Sequence, residues 1–219
     1  MQRGLVGVVV LVLSVGLWGC GAKREVQLTA EDRALASATG LPESLVLEAK
    51  KQGDELRRLE GINDEGDPTQ LAGVTIDIPH RDSLEAAKAL QEAAPPGYFA
   101  FVSERNFGFG GEGDWVSVMK AADPYEVILA MGTNGWNYDI SPAMVASRLK
   151  EWDERFGLVF RGIGFDWLEA EFKTPPADMQ AFAEEVYKFC PDVVDQGTDT
   201  VEALAREMKS ENMVYLWWD

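Results

Sequence analysis

Two kinds of apolar pattern divide the chain. From residue 5 to residue 17 nearly every position is apolar, directly behind Arg3, whereas beyond Cys20 apolar residues recur singly or in short runs between charges. The first run falls short of the about 20 apolar residues a spanning helix needs, and with its basic start it reads as a secretory leader over residues 1–19. Beyond it, 20–40 is polar with scattered apolar residues and reads as a tether.

Periodicity sets out the rest. Leu45, Leu47, Leu56 and Leu59 among Glu and Lys predict a helix from Pro42 to about Gly61, and the acidic, turn-rich 62–70 (INDEGDPTQ) a linker, so 41–70 is a helical segment and boundary. The alternation in 74–78 (VTIDI) predicts a strand. Asp82 with Glu85 predicts a capped helix buried through Leu84, Ala87, Leu90 and Ala94. Strands are expected at 98–103 and 115–119. The Asn134-Gly135 pair between apolar runs predicts a hairpin of 125–131 with 136–140. Ser141-Pro142 opens a helix with Val145, Leu149, Trp152 and Phe156 on one face, and 158–163 and 167–172 are strands meeting through Gly164. A helix after Pro176 buries Met179, Phe182, Val186 and Phe189, and Asp199-Thr200 caps another. The terminal run 214–218 (VYLWW) is expected inside the sheet, since an exposed edge that apolar invites aggregation. The fold class is therefore α+β, a mixed and mostly antiparallel sheet with helices packed on it, in one main domain over 71–219.

Cysteine and charge narrow the setting. Leu17-Trp18-Gly19-Cys20 resembles a bacterial lipobox, which implies that Cys20 is lipidated and becomes the first residue of an exported chain tethered to a membrane. Gly21 after it points to the periplasmic face of the outer membrane where the host has one. Cys190 is then the sole remaining thiol, so no intramolecular disulfide is available and the core alone holds the domain. The formal charge of −17 becomes −18 without the leader, which holds one Arg and no Asp or Glu. Such a surface repels nucleic acid and anionic headgroups, leaving the lipid to do the tethering.

The segments YFAFVSERNFGF, GTNGWNYDIS, LKEWDERFG, GFDWLEAEF, PPADMQAFAEEVYKFCPDVVDQGT and YLWWD, in this order, resemble the bacterial domain-of-unknown-function 4253 family from about residue 97 to 219. The resemblance implies a compact α/β domain. It implies no settled activity and therefore no catalytic residues.

The chemistry concentrates in 165–171 (FDWLEAE). On a strand Trp167, Glu169 and Glu171 share a face, with the two glutamates about 7 Å apart, a spacing that suits a divalent cation or a pair of coupled carboxylates. Glu169 and Glu171 with Asp166 or Asp153 are thus the candidate metal or acid/base residues, set against a plain solvated strand face. Trp152, Trp167 and Trp218 are candidate aromatic binding residues, set against core packing. The glycine-rich 106–114 precedes a strand and carries acids, which argues against phosphate binding. The acidic 62–68 lacks the twelfth-position glutamate of a calcium loop. His80, the chain's one histidine, limits nucleophile–histidine catalysis and reads as a surface residue. Cys190 sits among acids that disfavour a thiolate. Two functions remain: a lipid-anchored envelope protein that binds a protein or small ligand, a cationic one by charge, or an envelope hydrolase working through Glu169, Glu171 and Asp166, with or without a divalent cation.

Overall fold

A computed structural model describes residues 26–53, 55–63, 65–107 and 112–219. The leader, Cys20 and the first part of the expected tether lie outside the described residues. In chain order the elements are α1 (Ala30–Thr39), α2 (Glu43–Gln52), β1 (Leu56–Ile62), β2 (Pro68–Ile78), α3 (Ser83–Ala93), β3 (Tyr98–Glu104), β4 (Asp114–Lys120), α4 (Pro124–Met131), α5 (Pro142–Phe156), β5 (Leu158–Ile163), β6 (Trp167–Phe172), α6 (Met179–Phe189), a π-helical turn (Val193–Thr198), α7 (Val201–Glu211) and β7 (Met213–Trp217). The strands form one sheet in the order β1-β2-β4-β3-β5-β6-β7. All neighbours pair antiparallel except β3 and β5, which run parallel and meet at Val102 and Gly162. This is the α+β class that the patterning predicts.

Alternation along the strands separates two cores. Val74, Ile76, Ala100, Val102, Val116 and Val118 face one way and bury the apolar sides of α1–α3. Phe101, Met119, Phe160, Leu168, Val214 and Leu216 face the other way and bury α4–α7. The second core is centred on Trp152, fully buried and edge-on to Phe182 (5.1 Å between centroids) and Phe189 (5.8 Å). Removing a side chain of that size from a packed core costs about 3–5 kcal/mol.

Several local expectations are corrected. Residues 30–39, read as tether, form α1, because Thr29 and Asp32 exchange hydrogen bonds in a capping box and Asp32 binds Lys50 of α2 at 3.3 Å. The helix expected to run to Gly61 ends at Gln52, and 56–62 is a strand. The strand expected at 125–131 is α4: Asp123 accepts hydrogen bonds from the backbone N–H groups of Tyr125 and Glu126, and Pro124 occupies the first turn. No hairpin forms about Asn134-Gly135, whose second flank contains a short 3₁₀ turn at Trp136–Tyr138. On α3 the buried side is Ser83, Ala86, Ala87 and Leu90, leaving Leu84 exposed, and no side chain caps the start. Strand β7 lies at the end of the sheet rather than inside it. Its free edge is covered instead, with the Cys190 thiol donating to the Trp217 carbonyl at 3.0 Å and the π-helical turn alongside.

Among the described residues, no helix is long and apolar enough to cross a membrane.

Candidate functional site

The one parallel pair fixes where the sheet opens. After β3 the chain turns toward β4, and after β5 it turns the opposite way toward β6, so the two carboxyl ends diverge. In open α/β sheets ligands bind in the crevice outside such a switch point, and in this mostly antiparallel sheet the β3–β5 pair reproduces that arrangement locally. Here the ends present Glu104 and Arg105 from β3 and the 164–166 turn from β5.

That turn is held from three directions. The Thr133 hydroxyl donates to the Gly164 carbonyl at 2.7 Å, the Asn134 N–H donates to the Phe165 carbonyl at 3.0 Å, and the Trp218 N–H donates to the Asp166 carbonyl at 2.9 Å. Thr133 and Asn134 are buried. The GTNG segment therefore serves as a brace for the β5–β6 turn. Trp167 lies across Gly162 and Gly164, where a Cβ at either position would collide with the indole.

A cleft of about 430 Å³ opens here, lined by Glu104, Arg105, Phe107, Asp166, Trp167 and Tyr215. Trp167 and Tyr215 stack with their centroids 6.0 Å apart. Burial, with the negative charge of Asp166 nearby, pushes the Glu104 carboxyl above the ordinary carboxylate range. Burial on its protein side, with Asp219 nearby, does the same to Asp166. Among the described residues neither carboxylate has a Lys or Arg ion-pair partner.

The neighbouring carboxylates are committed. The Arg105 guanidinium, nearly buried, bridges Asp114 at 3.3 Å and Glu169. Asp114, fully buried, also accepts from Ser83 Oγ at 2.7 Å and the Asn106 N–H at 3.1 Å, and meets His80 Nδ1 at 2.8 Å. Burial by itself would raise its pKa, but these bonds outweigh burial and hold it below the ordinary value. Arg161 grips Glu171 through two 2.9 Å bonds and lowers its pKa.

Of the residues singled out from sequence, Trp167, Glu169 and Glu171 do share a face of β6, but each glutamate is turned to its own arginine. Asp166 stands apart from them in the turn. Asp153 is engaged elsewhere, accepting from the Tyr125 hydroxyl at 2.7 Å and from the Leu158 N–H. Among the described residues, no group of three or more His, Cys, Asp or Glu side chains is placed to hold a metal ion. Trp152, Trp167 and Trp218 are 0%, 5% and 3% exposed, so their rings pack against protein. Among the described residues the exposed tryptophans are Trp115 and Trp136, which no sequence signal distinguished. Cys190 is buried, with its thiol pushed up to about 12 chiefly by burial. Glu104 was missed because it ends an ordinary apolar strand; only the reversal of strand order marks it out.

Fold and site together define a mixed-sheet α+β domain with an acidic, aromatic crevice at its switch point. Residues 115–219, just under half of the chain, match the family model described as Domain of unknown function (DUF4253). The match bears out the resemblance over a shorter span than the motifs suggested: β4 to β7 and the Asp166 turn fall inside it, and β3 with Glu104 falls outside. No curated protein and no solved structure matches the chain.

Proposed function

We propose that this protein is a lipid-anchored binding module of the cell envelope whose crevice accepts a cationic group of its ligand. The observation that carries the reading is the pair Glu104 and Asp166, which share one cleft and make no ion pair with a Lys or Arg among the described residues, the Arg105 guanidinium in the same cleft being turned to Asp114 and Glu169. Two carboxylates that disfavour each other's ionised forms gain most from a cation placed between them. Tyr215, partly exposed and backed by the buried Trp167 ring on which it stacks, adds aromatic surface on which such a cation rests favourably. The formal charge of −17 would steer a basic partner toward the crevice and make association depend on salt. The leader and the Leu17-Trp18-Gly19-Cys20 segment support the anchor, which keeps the module at the membrane without a spanning helix.

Two experiments test this. Calorimetric titration of the full chain in detergent with spermidine and with a lysine-rich peptide is expected to show saturable binding that weakens with salt and is lost in Glu104→Gln/Asp166→Asn. Binding unaffected by that double substitution would exclude the crevice. Metabolic labelling with palmitate is expected to mark the wild type and not Cys20→Ser, which should also leave the membrane fraction; equal labelling would remove the anchor from the account.

A further inference from the structure

A second cleft shares Glu104 with the first but opens on the other face of the sheet, beside Met131 at the end of α4; it measures about 530 Å³. Its floor is unusual for that face. Further along the same strands β3 and β4, Phe101 and Met119 point into the apolar core, yet Thr75, Ser103 and Ser117 stand side by side on β2, β3 and β4, all buried. Ser103 Oγ donates to the Trp115 carbonyl at 3.3 Å and lies 2.7 Å from Ser117 Oγ, which in turn contacts Thr75 Oγ1. With Ser103 donating to the carbonyl, Ser117 donates to Ser103 and Thr75 donates to Ser117. In that orientation every hydroxyl proton is used in the relay, and Thr75 Oγ1 also lies 3.4 Å from Ser103 Oγ. What Thr75 and Ser103 offer the cleft is therefore oxygen lone pairs, which call for a ligand rich in donors.

The walls complete the specification. Trp115 and Phe165, each 36% exposed, stand in the lining. The Arg57 guanidinium lies over one face of the Trp115 ring, 4.5 Å from its centroid, so that only the remaining surface of the indole is open, and it brings donors to one rim while Glu104 brings an acceptor to another. Two arginines (Arg57, Arg58) and two glutamates (Glu60, Glu104) in the lining, with a neutral hydroxyl floor between, favour no net charge. The cleft has the size of ordinary small-molecule sites, which combine apolar walls with a few placed polar groups.

We propose that this cleft is a saccharide site, binding a neutral hexopyranose ring whose hydroxyls donate to Thr75 Oγ1 and Glu104 and accept from Arg57, with its C–H faces against Trp115 and Phe165. It rests on the reading of Glu104 as an open acceptor and extends it: a ring carrying an amino group in place of a hydroxyl near Glu104 binds more tightly than its neutral counterpart. The three floor hydroxyls are then retained for the ligand, since a floor of matching apolar groups would fill the same space without a buried polar relay.

The test uses the full chain in detergent and a set of neutral hexoses, their disaccharides and the matching hexosamines, read by saturation-transfer NMR and calorimetry. Binding by at least one neutral sugar is expected, together with an affinity advantage for its amino counterpart. Thr75→Val/Ser103→Ala/Ser117→Ala should weaken the neutral sugar by about tenfold or more while the midpoint of thermal unfolding stays level or rises. Should that variant misfold, Trp115→Ala at the half-open wall is expected to cause a comparable loss. No binding by any sugar, or undiminished binding by both variants, overturns the site. Neutral-sugar binding with no amino advantage sustains the saccharide site and counts against the cationic reading; spermidine binding with no sugar binding does the reverse.

Discussion

Carboxylates within one small region of this sheet have opposite fates. Asp114, Glu169 and Glu171 are closed: Arg105 spans the first two, Arg161 holds the third, and Asp114 and Glu171 titrate below their ordinary values. Glu104 and Asp166 are open: they have no basic partner among the described residues, and burial with neighbouring acids raises both. The residue types are the same, and so is the overall acidity of the chain. What differs is whether an arginine guanidinium is bonded to them, and this separates carboxylates that hold the fold together from carboxylates available to a ligand.

The sharpest way to break the contrast is to turn closed groups into open ones. Arg105→Ala strands Asp114 and Glu169 without their cation in a site where the arginine side chain is only 8% exposed. The expected loss is about 3–5 kcal/mol, measured by denaturant unfolding. A loss below about 1 kcal/mol would mean that Arg105 is not the keystone of the closed set.

The opposite manipulation removes the open charges. Glu104→Gln/Asp166→Asn is expected to stabilise the protein at pH 7 by no more than about 0.5–1 kcal/mol, since Asp166 is exposed and solvent screens its charge, or about 1–4 °C in unfolding midpoint. The sign follows from linkage. A carboxyl whose folded pKa is raised contributes stability that is fully present below its unfolded value and is lost as pH rises through the folded one. The gain should therefore shrink toward zero as pH falls to about 4. Asp114 and Glu171, with lowered values, behave in the reverse sense: their stabilisation is present at neutral pH and lost on acidification. Thermal scans of wild type and variant from neutral to acid pH read both trends; a variant less stable than wild type at pH 7 would contradict the open assignment.

The smallest effect is expected at the exposed end of the closed set. Arg161 and Glu171 are partly solvated despite their two-bond geometry. Glu171→Gln should cost about 0.2–1 kcal/mol, diminishing with salt.

How much of this the sequence disclosed depended on whether the signal was local. The α5 face of Val145, Leu149 and Trp152, the strands about Gly164 and the cap at Ser141 could be read directly, since periodicity and capping act within a few residues, whereas the cap read from Asp199 with Glu202 falls one residue on, at Thr200. Helix α4 was misassigned because its β-branched, apolar content outweighed the Asp123-Pro124 start signal, and the following Asn-Gly pair then suggested a hairpin. The polar look of α1 concealed a helix that Thr29 and Asp32 cap and Lys50 anchors from α2. Alternation placed Glu169 and Glu171 on one face correctly, yet their partners Arg105 and Arg161 lie 64 and 10 positions away and come from other segments of the chain. The crevice was not legible at all. It arises from strand order, which joins the carboxyl ends of β3 and β5 across a long crossover, and no window of sequence contains that information.

The most direct test of the account is a carbon-detected NMR titration of the Glu104 and Asp166 carboxyl groups in the folded protein, with and without spermidine. Both should titrate above the ordinary carboxylate range in the free protein, and both should move down when spermidine is present, because a bound cation favours their ionised forms. Ordinary values that spermidine leaves unchanged would show that these carboxylates are solvated surface groups, and the crevice would lose its claim to a cationic ligand.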